Sequence, residues 1–101
     1  MSAVALAGDL MDRSKLAAAI PDLTFASGVD GCDGADVVIV DLARHSARIA
    51  ELRRRLPDAR IVAFGPHVDD EQLTSARGAG ADLVLPRSRF FRDPLAAVTG
   101  A

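Results

Sequence analysis

Val37-Val38-Ile39-Val40-Asp41-Leu42 is the stretch on which the fold turns. Four β-branched apolar residues follow one another without a polar break and end on a carboxylate. A strand buried on both faces needs that uninterrupted pattern, and such strands belong to parallel sheets covered by helices. Working outward, the same kind of run occurs at Val4 to Ala7, Leu23 to Ala26, Ile61 to Phe64 and Leu83 to Leu85. The intervening segments carry helix punctuation, so the chain reads as a βαβ series.

Asp9 is placed to cap a helix running to Ile20, where Pro21 stops it. Ser46 or an earlier residue opens a second helix, with Ile49, Leu52 and Leu56 on one face and Pro57 beyond its end. Asp69, with Gln72 three residues on, begins a third that carries Leu73 and Ala76 and ends at Gly78 and Gly80. Asp93 and Pro94 start a short last helix reaching about Val98. Between Ala26 and Asp36 three glycines interrupt any helical period, so the crossover there is expected to be a rudimentary helix or a loop.

With 101 residues, half of them hydrophobic, the chain suits one domain spanning residues 1–101, and a domain of this size buries roughly two-thirds of its unfolded surface. Twelve basic against fourteen acidic residues leave a net charge of -2, which gives no field favouring nucleic acid or an anionic membrane. The apolar N-terminal stretch is too short for a signal sequence or a span and lacks a basic start, so a cytoplasmic location is expected. Cys32, the lone cysteine, has no internal partner and no neighbouring base to activate it, and reads as an unpaired thiol in a reducing compartment.

Five parallel strands with right-handed crossovers predict an α/β three-layer sandwich, in the flavodoxin-like strand order 2-1-3-4-5, with the second helix rudimentary and the last one short. Ligands in such folds sit beyond the carboxyl ends of the strands. That places any function at Asp9, Asp41, the Gly65-Pro66-His67 turn and Pro86-Arg87-Ser88.

These residues also carry a resemblance. Val37 to Leu42 looks like the third strand of a response-regulator receiver domain, which ends in the phospho-accepting aspartate. Ala59 to Gly65, Ala76 to Asp82 and Leu83 to Pro86 are similar to the fourth strand, fourth helix and fifth strand, including an Ala-Gly-Ala-Asp signature at Ala79 to Asp82. The similarity runs from Val4 to Phe91. It implies a site built of two strand-1 acids that bind magnesium, the acceptor aspartate, a Ser or Thr closing the fourth strand and a lysine on the fifth, since phosphoryl transfer needs a metal and fixed cations against developing charge. On that pattern Asp41 is the candidate phospho-acceptor, and Asp9 with Asp41 forms an acidic pocket. Three positions depart from it. Leu10 follows the single acid Asp9, Gly65 stands in the hydroxyl position, and the lysine is replaced by Arg87 on an ungapped count or by Leu85 if the following proline is matched to Pro86.

The expectation is therefore a stand-alone pseudo-receiver, not an enzyme, working by contact with another protein or with itself, without nucleic acid or membrane. No cofactor is expected, magnesium entering only if Asp41 is phosphorylated. The alternatives are a working phospho-acceptor at Asp41, or a small-ligand or metal-binding domain at the same edge, where Asp9, Asp41, His45 and His67 are acceptable ligand types. No dedicated metal site is expected. Arg87, Arg89, Phe90 and Phe91 are the expected partner face, because arginine and aromatic residues anchor interfaces, although the two phenylalanines would equally serve to cover the sheet where a full final helix is lacking. Arg53, Arg54 and Arg55 oppose the helix dipole and solvate its end; with Arg44, Arg48 and Arg60 they form at most a basic patch.

Overall fold

The computed structural model of the chain describes residues 1–66 and 69–100. Five parallel strands, β1 (Ala3–Leu6), β2 (Thr24–Phe25), β3 (Val37–Asp41), β4 (Arg60–Gly65) and β5 (Leu83–Pro86), pair in the order β2-β1-β3-β4-β5, as expected. The helices are α1 (Leu10–Ala19), α2 (Leu42–His45), α3 (Ile49–Arg55), α4 (Asp70–Ala79), α5 (Arg87–Phe90) and α6 (Pro94–Thr99). The glycine-rich crossover contributes only a 3-10 turn, Val29–Cys32, so the second helix is rudimentary.

Alternation along the strands sorts side chains into two cores. Ala3, Ala5 and Ala7, Val37 and Ile39, and Val62 and Phe64 face α1, α5 and α6. Val4 and Leu6, Val38 and Val40, and Ile61 and Ala63 face the 3-10 turn, α3 and α4. The alanines of β1 leave room on the first face for large rings: Phe64 and Phe90 stack at 4.8 Å, and Phe91 meets both edge-on.

Local differences from the sequence expectations have identifiable causes. The helix expected from Ser46 or an earlier residue begins at Leu42, where Asp41 supplies the cap, accepting the Ala43 N–H at 3.0 Å, but it is broken after one turn. The chain then passes through a 3-10 turn, Ser46–Arg48, before α3. Gly78 lies inside α4; Gly80 alone terminates it, at φ +123°. There the Arg53 guanidinium donates to the Gly80 carbonyl (2.7 Å from Nη2), to that of Ala59 (2.7 Å) and to Asp82 (2.7 Å). A Cβ on Gly80 would come within 2.8 Å of the Arg53 stem. Asp82 also accepts the Ile61 N–H at 2.8 Å, so the Ala-Gly-Ala-Asp signature ties α3, α4, β4 and β5 together.

The basic helix end is thus only partly a solvated surface. Arg55 pairs with Asp30 and, at 2.7 Å, with Asp33, holding the 3-10 turn over the core. Arg60 donates to the Ala97 carbonyl at the end of α6 (3.0 and 3.1 Å). With Arg53, Arg55 and Arg60 spent on these bonds, the arginines do not make a common patch. Cys32 is fully buried beside Gly28, and burial pushes its thiol pKa up, consistent with an unreactive residue.

Candidate functional site

Register fixes the carboxyl edge of the sheet. Asp41 lies level with Phe64, and Gly65, the next residue of β4, lies level with Pro86. Arg87 is the first residue beyond β5, and Asp9 follows β1 by three positions. Hence Asp9, Asp41, Gly65 and Arg87 share one edge.

Asp9 is exposed and caps α1, accepting the Asp12 N–H at 3.0 Å. That bond does most to hold its carboxyl below the ordinary carboxylate range, with smaller help from the charges of Arg87 and Arg44. Asp41 is 4% exposed at the floor of the edge and bonded to the N–H of Ala43, so it combines the acceptor position with a structural cap. Gly65 is buried against Leu42, where an added Cβ would stand 3.4 Å from the leucine Cβ.

Arg87 organises the rest. Its guanidinium makes a two-pronged ion pair with Asp12, whose carboxylate is 2% exposed, one prong measuring 2.9 Å. The same group lies 5.6 Å from the Phe64 ring centre and 5.2 Å from that of Phe91. The bond to Asp12 raises the arginine's pKa most, and the charges of Asp41 and Asp9 raise it further. Of the two sequence correspondences for the missing lysine, the structure brings the charge from Arg87. Leu85 is half-buried in the core beneath Phe64.

Asp12 is the site residue that sequence reasoning misses. In sequence it is one more helix-surface acid, a turn after Asp9. The available signal is its spacing of three from Asp9, which puts both on the same side of the first turn, together with an arginine just after β5 that has no assigned counterion.

A receiver's magnesium would take oxygen ligands in near-octahedral array, one or two of them carboxylates. Here the most buried carboxylate is committed to Arg87, and among the described residues no group of three acidic, histidine or cysteine side chains converges. His45 is half-buried at the end of α2, whereas His67 lies outside the described residues.

The expected partner face also changes. Phe90 is fully buried under Phe64 and Phe91 is half-buried, so the pair covers the sheet where α6 is short. Arg89 and Arg92 remain exposed, with Leu95 beside them. No helix among the described residues is long and apolar enough to cross a membrane.

Several solved structures share this architecture. A response regulator from Burkholderia pseudomallei, with a phosphorylated aspartic acid, calcium ion and citrate, superposes with a TM-score of 0.78 at 19% identity over 95% of this chain. The chain spans 64% of that protein's length. A protein described as pilus assembly-related from B. pseudomallei matches at TM-score 0.69 and 23% identity, over 85% of this chain and 76% of that one. A protein described as the pilus assembly protein CpaE from B. thailandensis matches at 0.72 and 22% identity, with both chains wholly covered. No family model matches the sequence, and no curated protein resembles it closely enough to match. The likeness therefore lies in the fold, and the chain has the flavodoxin-like fold of response-regulator receivers.

Proposed function

We propose that this receiver-like domain is a pseudo-receiver, a signalling module that acts by protein contact without aspartyl phosphorylation. The observation that carries this reading is the two-pronged ion pair of Arg87 with the buried Asp12, at the carboxyl edge that Asp9 and Asp41 share. A phosphorylated receiver site needs a cation to neutralise its acids and another to hold the phosphoryl group. Here the cation beyond β5 is already committed to Asp12. Its planar fork is held by a bidentate carboxylate and two aromatic rings, and it is not free to swing to a new phosphate without leaving the buried Asp12 unpaired. Gly65 offers no hydroxyl to report a phosphoryl group.

The partner surface that remains beyond α5 is Arg89, Arg92 and the exposed side of Leu95, with Phe91 at its margin. Another protein or a second copy of this chain is the proposed partner, and a cytoplasmic location is proposed with it. Likeness in fold to proteins described as belonging to pilus assembly is compatible with a scaffold role.

Incubation with acetyl phosphate and magnesium, followed by intact mass spectrometry, tests the reading. The mass is expected to stay unchanged in wild type and in Asp41→Asn. Addition of one phosphoryl group to wild type, absent from Asp41→Asn, would establish a working phospho-acceptor instead.

A further inference from the structure

On the other side of β1 from Arg87, a pocket of about 380 Å³ opens between the ends of β1, β2 and α2. Gly8, Arg13, Phe25, Ser27 and His45 line it. Its cations are held without carboxylates. The Arg13 guanidinium rests 4.6 Å from the centre of the Phe25 ring. Arg44 lies across Gly8, so closely that a Cβ on that glycine would stand 2.9 Å from Arg44 Nη1. Ion pairs among the described residues engage Arg53, Arg55 and Arg87, and neither Arg13 nor Arg44. The charge of Arg44 helps to hold the Asp9 carboxyl low, without an ion pair between the two.

An arginine packed on a ring or a bare backbone keeps its donors directed and unspent, and so loses little freedom when an anion arrives. The Arg13 fork, a serine hydroxyl and a half-buried imidazole line one pocket at the carboxyl edge, with the Arg44 fork lying against its Gly8 wall, beside the strand-order reversal where ligands of doubly wound sheets bind. Bidentate guanidinium donors match the oxygens of a phosphate group, and the aromatic wall suits a ring attached to it.

We infer that this pocket binds a small molecule carrying a phosphate group. The site shares no side chain with the Asp12–Arg87 pair, so it is separate from the pseudo-receiver reading and stands or falls apart from it.

Titration calorimetry of the intact chain with adenosine diphosphate and, separately, inorganic phosphate tests the inference. Saturable binding of the diphosphate is expected, with affinity reduced about tenfold by Arg13→Gln and again by Arg44→Gln, the effect of losing a charge-assisted contact. Gly8→Ala should weaken binding in the same direction, because its Cβ would displace the Arg44 guanidinium from its seat on Gly8. Arg54→Gln, an exposed change on α3, should leave affinity unaltered. Circular dichroism establishes that each variant is folded. Binding of inorganic phosphate in competition with the diphosphate would identify the phosphate group as sufficient; binding of the diphosphate alone would show that the ring contributes through Phe25. Absence of binding to both at millimolar concentration, or undiminished affinity in the folded Arg13→Gln/Arg44→Gln double variant, would overturn the inference.

Discussion

At Asp12 a carboxylate that is 2% exposed has one cationic partner, and that partner reaches it from the far end of the chain. Replacing Arg87 with alanine strands the buried charge. Removing one member of a fully buried pair costs roughly 3–5 kcal/mol, and the 36% exposure of the Arg87 side chain reduces this to about 2 kcal/mol. Adding Asp12→Asn should restore part of the loss, so urea unfolding of the single and double variants should give a coupling energy of about 1 kcal/mol or more. Strictly additive losses would mean the pair is incidental. Asp41 and Arg87 could be located from the sequence because each sits at the end of an apolar strand. Asp12 could not, because the feature that distinguishes it is burial beneath a side chain 75 residues away, which no local pattern records. For the same reason the sequence leaves Phe90 open between a partner face and a cover for the sheet: its burial depends on the ring of Phe64 and the small alanines of β1.

The two glycines near the end of α4 illustrate how a helix boundary is set by neighbours. Gly78 has open space around its missing Cβ and sits within the helix, so Gly78→Ala is expected to raise stability by about 0.5–1 kcal/mol. Gly80 combines a positive φ with contact against Arg53, and Gly80→Ala is expected to cost about 2 kcal/mol through strain and disruption of the Arg53 bonds. Thermal melts of the two variants should therefore shift in opposite directions; a shared sign would refute this boundary. From sequence, either glycine could end α4. The strands were more legible, since five short, uninterrupted apolar runs between helical segments fit little besides the buried strands of a parallel sheet. The segment after Asp41 was least so, because a capping strand-end aspartate, a one-turn helix and a 3-10 turn lack the periodicity of a longer helix.

For the whole molecule, strand order followed from chirality and connection length, and the layers followed from alternation within strands. What the composition left undecided was the state of the carboxyl edge. Counting substitutions against a receiver pattern marks positions as missing, whereas the structure adds a pairing: Arg87, at the carboxyl edge, is bound to Asp12, an acid outside the pattern. Under the proposed pseudo-receiver reading, that built-in counterion would hold the domain in one electrostatic state. The direct measurement is a magnesium titration followed by amide NMR at Asp9, Asp12, Asp41 and Leu42, in wild type and in Arg87→Gln. Wild-type resonances should stay in place at millimolar magnesium, while those of the variant shift as its uncompensated carboxylates attract the ion. Saturable shifts of these amides in the wild-type protein would contradict the assignment of Arg87 as the resident cation.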